Sequence, residues 1–253
     1  MEKSPGHPVP AGPRRNGEPV SDSPGMAFPN PQRIGADHRE WRGFLIFFGI
    51  LILTIAISLA VKKDKSLYVF GYIMAIVYVA GGPRRRGEPW SEVGVRPARA
   101  FLDDLESVWY LVVLVVLVFQ FLPVGVAHLF GYYHPLIHYI NARVSQVPAL
   151  IGLALILTLF ETIVYQVFVQ QRLSRFIGTP AAIVVASVLA GLAHAASAGT
   201  GSLNVAVTDV AGVALDFAVF GVIWARTRNL ALTWLTHYAT DIIGILALAF
   251  ILR

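Results

Sequence analysis

The stretch LFETIVYQVFVQQRL, residues 159–173, sets a carboxylate, Glu161, inside a run of apolar side chains. At bilayer depth a carboxylate costs roughly 2.5–3.5 kcal/mol on insertion scales. A group held there against that cost is paired, faces a wet cavity, or performs a function. Which of these applies to Glu161 depends on whether the surrounding chain is a membrane protein and on what else it carries at that depth.

Composition answers the first question. Of 253 residues, 56% are hydrophobic and 14% charged, whereas a soluble domain has about 45–50% apolar and about 25% charged residues. The mean hydropathy is +0.64. With no cysteine, disulfides, thiolate metal sites, a cysteine nucleophile and thiol lipidation are excluded. A net charge of +5 raises nucleic acid as a partner. The basic residues are scattered between apolar runs, however, and the positive-inside rule accounts for that placement without nucleic acid.

Apolar stretches at 43–61, 67–82, 108–131, 147–169, 180–198, 203–225 and 229–251 are long enough, or nearly so, to cross a bilayer. They predict an all-α fold, a polytopic membrane helical bundle of about seven transmembrane helices (six to eight). The polar motifs fall on the last four. With the N-terminus cytoplasmic, five of the twenty Lys and Arg (Lys62, Lys63, Lys65, Arg143 and Arg253) lie outside and the other fifteen inside, the asymmetry the rule demands. The expected organisation is a disordered cytoplasmic tail over 1–42, which has no signal-peptide apolar region. Two N-terminal membrane helices over 43–82, a basic amphipathic interfacial linker over 83–107 and a membrane core over 108–253 follow. The expected location is a bacterial cytoplasmic membrane, with membrane lipid as one partner.

Two local features give no function by themselves. GPRRNGEPVSD (12–22) recurs as GPRRRGEPWSE (82–92), either a repeated turn-and-anchor sequence or a duplicated contact for anionic headgroups. His134 and His138 stand four apart in FGYYHPLIHYINARVSQ (130–146), with Pro135 between them, and read as a surface pair.

Ionisable residues at depth concentrate in the last four spans: Glu161, His194, Asp209, Asp216, His237 and Asp241. The first three spans carry almost none, which suggests a lipid-facing front and a polar-cored back. Counting rise along each helix, Glu161 lies about 16 Å from Arg172, and His237 about 12 Å and Asp241 about 18 Å from Asn229. His194 sits about 21 Å from Pro180. All four fall in one slab near mid-membrane, so a single site is geometrically allowed. In THYATD, His237 and Asp241 share a helix face. In LAGLAHAAS (189–197) small residues surround His194, allowing close helix approach or room for an extended substrate segment. Asp209 and Asp216, seven apart, share a face as cavity-lining or packing groups. Taken singly, each of these residues has a structural explanation. A lone histidine can be a packing residue, His237 with Asp241 an intrahelical pair, and Glu161 an acceptor for Thr or Tyr hydroxyls.

Taken together, ETIVYQVFVQQRL, GLAHA and NLALTWLTHYATD, in that order, resemble the CPBP intramembrane protease family. That family includes the type II CAAX prenyl endopeptidases and bacteriocin-immunity homologues. Its motifs read Glu-Glu-x-x-x-Arg, Phe-x-x-x-His and His-x-x-x-Asn/Asp, and the resemblance extends over about 90–253. It maps the first glutamate, the water activator, onto Glu161, the second-motif histidine onto His194, and the third motif onto His237 and Asp241. The departures are Thr162 for the second glutamate, Gln166 for the arginine and Ala190 for the phenylalanine.

The resemblance implies hydrolysis of a peptide bond in a membrane-associated peptide or protein substrate, with Glu161, His194, His237 and Asp241 catalytic. Glu161 would act as general base on water and His194 would position that water or hold a metal. His237 and Asp241 would either complete a Zn2+ site with His194 or serve the oxyanion, a neutral His237 donating while Asp241 fixes its tautomer. Thr162, Gln166, Asp209 and Asp216 are supporting groups. The loss of one motif acid and the arginine keeps an alternative in view, a catalytically inert homologue acting as membrane scaffold or immunity protein. A proton-coupled transporter is the third class, but no inverted repeat is visible.

Overall fold

The computed structural model describes residues 38–61, 66–85, 87, 89–121, 147–198 and 203–250. The tail copy of the repeated element and the His134/His138 segment lie outside them. The chain divides into Met1–Asn30 and Pro31–Arg253, and everything described belongs to the second unit. Seven helices are described: α1 (His38–Val61), α2 (Ser66–Arg85), α3 (Arg99–Val113, continued by a π-helical turn at Leu114–Val118), α4 (Val147–Ile177), α5 (Thr179–Ala198), α6 (Leu203–Thr227) and α7 (Leu230–Phe250). No strand occurs among the described residues.

These elements follow from composition and solvent. Trp41–Val61, Val147–Ile177, Val210–Thr227 and Leu230–Ala247 are long and apolar enough to span a membrane, and Val69–Gly82 and Thr179–Ala195 are shorter apolar helices. Only a helix satisfies all its backbone groups within one segment, as hydrocarbon requires. α1 shows how such a helix partitions. Phe44, Leu51 and Ile55 are buried in the bundle, while Leu45, Ile46, Ile52, Leu53 and Ile57 face outward and exposed, a surface suited to lipid rather than water. The chain is therefore an all-α membrane helical bundle.

Contact in the bundle is set by small residues, since burial in hydrocarbon gives little drive for helix association. α5 and α6 form the most extensive pair. A Cβ on Gly191 would come within 2.5 Å of the Val210 carbonyl oxygen, so only glycine permits this approach. Ala182, Ala186, Ala190 and Ala193 are buried on the same helix. The small residues around His194 thus serve helix packing, and α6 takes up the room they leave.

α4 is the centre. Val147–Thr162 is α-helical, Ile163–Gln170 π-helical and Gln171–Ile177 α-helical again. Every residue from Val164 to Leu173 is buried. The π segment packs against α2, α5 and α6. Tyr165 joins α2 through a 2.5 Å hydroxyl contact with Tyr72.

The linker between α2 and α3 fastens one end of this bundle. A 3-10 turn at Trp90–Val93 closes on Gly94, whose φ is 84°. The Gly94 carbonyl accepts a 2.9 Å bond from the Leu230 N–H at the start of α7. The Glu92 carbonyl accepts from Gln171 Nε2 at 2.5 Å, and the Arg175 guanidinium reaches the Glu92 carboxylate at 3.5 Å. Arg96 donates to the Thr227 carbonyl at 2.6 Å and pairs with Asp104. One short segment therefore ties the end of α4 to the α6–α7 turn. In that turn Arg228, at φ 49°, lays its guanidinium 5.7 Å over the Trp224 ring. Burial there lowers its pKa from the ordinary arginine value, a shift that Glu92 opposes.

Gly94 is the residue this fastening cannot replace. A Cβ there would enter the ring of the fully buried Trp224, and its φ disfavours any L side chain. Gly94→Ala is expected to destabilise the bundle by at least about 2 kcal/mol, read as a lowered thermal midpoint in detergent. An unchanged midpoint would show that the linker is not anchored there.

Candidate active site

Glu161 and Thr162 end the α-helical part of α4, immediately before the π segment. Opposite them, α7 is started by Asn229. Its side-chain oxygen accepts from the Leu232 N–H at 3.1 Å, an N-cap, and its amide donates to Asp104 Oδ2 at 2.9 Å. From this fixed origin α7 carries His237 and Asp241 one turn apart toward α4. Trp234 Nε1 donates to the Leu155 carbonyl of α4 at 3.0 Å, which holds the two helices in register.

The result is a cluster around one nitrogen. His237 Nε2 lies 3.6 Å from Glu161 Oε2 and 3.8 Å from Asp241 Oδ1. The imidazole is 5% exposed, yet the Glu161 and Asp241 side chains keep 31% and 40% of their surface accessible. The carboxyl groups form an approachable front and the ring stands behind them. Phe217 and Phe220 of α6 clamp the ring, with centroids 5.0 and 4.6 Å away. Its other nitrogen, Nδ1, meets Thr162 Oγ1 at 3.4 Å.

The remaining groups fall around this centre. His194 on α5 is close enough to His237 for the two imidazoles to interact electrostatically, as Glu161 does with Asp241 and Asp241 with Asp216. Asp216 on α6 accepts a 3.2 Å bond from Gln120 Nε2 of α3. The side chain of Asp209 lies outside the described residues. Gln166, 1% exposed, makes no hydrogen bond among the described residues.

One sequence expectation needs correction. The front of the molecule is not purely lipid-facing, because Gln120 of the third apolar stretch bonds Asp216 in the polar centre. Asp241 approaches His237 from the Nε2 side. The threonines nearest the cluster direct their hydroxyl hydrogens elsewhere than to Glu161. Thr158, Thr162, Thr236 and Thr240 each donate to the carbonyl four residues earlier in their own helix.

Among the described residues no three His, Asp or Glu side chains are placed to hold a metal ion. The clamp of Phe217 and Phe220 and the cap by Asn229 had no signal in the motif spacing, although a lone glutamine in VFQFLPV was a visible hint of Gln120.

Fold and site together define a polytopic membrane protein with an acid–imidazole cluster enclosed by its helices. Residues 143–243 match the family model described as Type II CAAX prenyl endopeptidase Rce1-like, so this part of the chain is similar to that family, in line with the resemblance its three motifs carry. Glu161, His194, His237 and Asp241 all lie within the match. No curated protein matches the chain, and no solved structure does.

Because Asn229 sets where α7 begins, Asn229→Ala is expected to cost about 1–2 kcal/mol of stability. Asn229→Asp keeps the cap but places a second carboxylate against Asp104, so it should also destabilise, and increasingly so as salt is lowered. Thermal unfolding of both variants in detergent at two ionic strengths checks this.

Proposed function

We propose that the chain is an intramembrane endopeptidase that hydrolyses a peptide bond of a membrane-associated substrate with water activated by Glu161. The observation that supports this most directly is the 3.6 Å approach of the partly accessible Glu161 carboxyl to the buried His237 nitrogen. The family match over 143–243 and this geometry point the same way.

In this mechanism Glu161 removes a proton from water as the oxygen attacks the scissile carbonyl carbon. The tetrahedral intermediate collapses with rupture of the C–N bond, and the proton is returned to the leaving amine. General base catalysis of this kind contributes roughly 10²–10⁴-fold. His194 steers the water or the substrate carbonyl from α5. Asp241 completes the polar front beside Glu161. Each step is carried by the chain's own groups. The end of the bundle bearing Arg175, Arg226 and Arg228 faces the cytoplasm in this proposal, following the positive-inside rule.

Glu161→Gln is the decisive variant. The wild type in liposomes should cleave a fluorogenic membrane-spanning peptide, and Glu161→Gln should lose at least about 100-fold in kcat while still binding it. A wild type that binds the peptide without cleaving it would instead establish the inert scaffold favoured by Thr162 and Gln166. Metal content per purified chain, compared between wild type and His237→Ala, tests the Zn2+ alternative. A stoichiometric metal lost in the variant would overturn the metal-free steps above.

A further inference from the structure

His237 is asymmetric in its surroundings, and hydrogen-bond accounting gives that asymmetry a direction. Thr162 has one hydroxyl hydrogen, and it is donated to the Thr158 carbonyl at 2.7 Å. Oγ1 therefore meets Nδ1 of His237, 3.4 Å away, with lone pairs only. A ring carrying its proton on Nε2 would set two lone pairs against each other at a buried site, where no water relieves them. A ring carrying it on Nδ1 makes a hydrogen bond instead, and its bare Nε2 then faces the partly accessible carboxyl front, where water or a carboxyl proton can meet it. Turning the ring by half a revolution does not help, because carbon would then face Thr162 and both carboxyl groups. The flanking Phe217 and Phe220 rings leave the imidazole little freedom to do so.

We propose that Thr162, which stands where the resembled motif has its second glutamate, is a positioning residue that holds the His237 proton on Nδ1 and presents Nε2 as a bare acceptor toward Glu161 and Asp241. The inference deepens the peptidase reading and rests on it for its chemical consequence. With Nε2 unprotonated, His237 does not donate to a carbonyl oxygen in the first step. It receives. The proton that Glu161 takes from water passes to Nε2, leaving a Glu161 carboxylate beside an imidazolium, while the hydroxide oxygen bonds to the carbonyl carbon. When the C–N bond breaks, the imidazolium returns that proton to the amine nitrogen, through Glu161 or directly. One water and one peptide bond give one carboxylic acid and one amine, and both side chains end as they began.

The test separates this from the peptidase reading itself. The full chain, labelled with 15N in the histidine rings and placed in lipid nanodiscs without substrate, is examined by solid-state NMR at mildly alkaline pH. The His237 signals are identified by their loss in His237→Gln. Expected are a protonated Nδ1 and an unprotonated Nε2 in wild type and in Thr162→Ser, which keeps the hydroxyl. Thr162→Val, which keeps the shape and removes the oxygen, should move His237 to the Nε2–H form or a mixture. On a cleaved peptide, Thr162→Val should lower kcat by at least about tenfold with KM held within about twofold. An Nε2–H ring in wild type overturns the proposal, and so does a Thr162→Val spectrum that retains Nδ1–H. The wild-type spectrum decides the matter even if Thr162→Val does not fold. Absence of any cleavage by wild type would refute the peptidase reading and leave the tautomer assignment to stand on its spectrum.

Discussion

Placing a carboxyl group within 3.6 Å of a buried imidazole, on two different membrane helices, constrains the rest of the bundle. Both groups are polar, the imidazole has left water, and neither is held by the other through a short hydrogen bond. Membrane helices gain little from apolar burial and must be held by shape and by polar contacts. A slip of α7 against α4 by one residue would rotate His237 away by about 100° and leave two polar groups facing hydrocarbon. The register of these two helices is therefore the property that the remaining sequence has to protect.

It is protected at both levels of depth. At the end of the bundle, Asn229 caps α7 and bonds Asp104, while Gly94 accepts from Leu230. The same linker holds α4 through Gln171 and Arg175. Deeper in, Trp234 bonds the Leu155 carbonyl. The threonines of α4 and α7 return their hydroxyl hydrogens to their own helices. That arrangement removes competing donors from the neighbourhood of Glu161 and leaves its carboxyl to the imidazole and to water.

The helical membrane fold was readable because lipid imposes a simple rule. An apolar run of sufficient length must be helical, and the runs around 43–61, 147–169, 203–225 and 229–251 each lie within or largely over a spanning helix. The matching depth of Glu161, His237 and Asp241 was readable for a related reason, since rise per residue fixes depth along each helix. Orientation around the helix axis was less accessible. Spacing placed His237 and Asp241 on one face but could not say which imidazole nitrogen Asp241 approaches. The π-helical segment after Thr162 has no composition signal in IVYQVFVQ, and it shifts the faces of every residue beyond it. Phe217 and Phe220 were hidden because their role depends on which helices touch.

The departures in the first motif look less damaging in three dimensions than they do in the sequence. Replacing an adjacent glutamate and arginine by Thr162 and Gln166 removes one charge of each sign, so the buried charge balance is kept, and the desolvation cost of an ion pair disappears with it. In the proposed mechanism, what a second acid would contribute is a second carboxyl near the attacking water. Asp241 already brings one to the same His237 nitrogen, 3.8 Å away, from α7 rather than from the next position on α4. The position beside Glu161 is then free for a smaller group. Thr162 is small enough to tuck against its own helix, and its oxygen falls within reach of the ring atom that a glutamate at that position would have had to crowd. Two acids and one imidazole still converge, but the second acid arrives from across the helix interface.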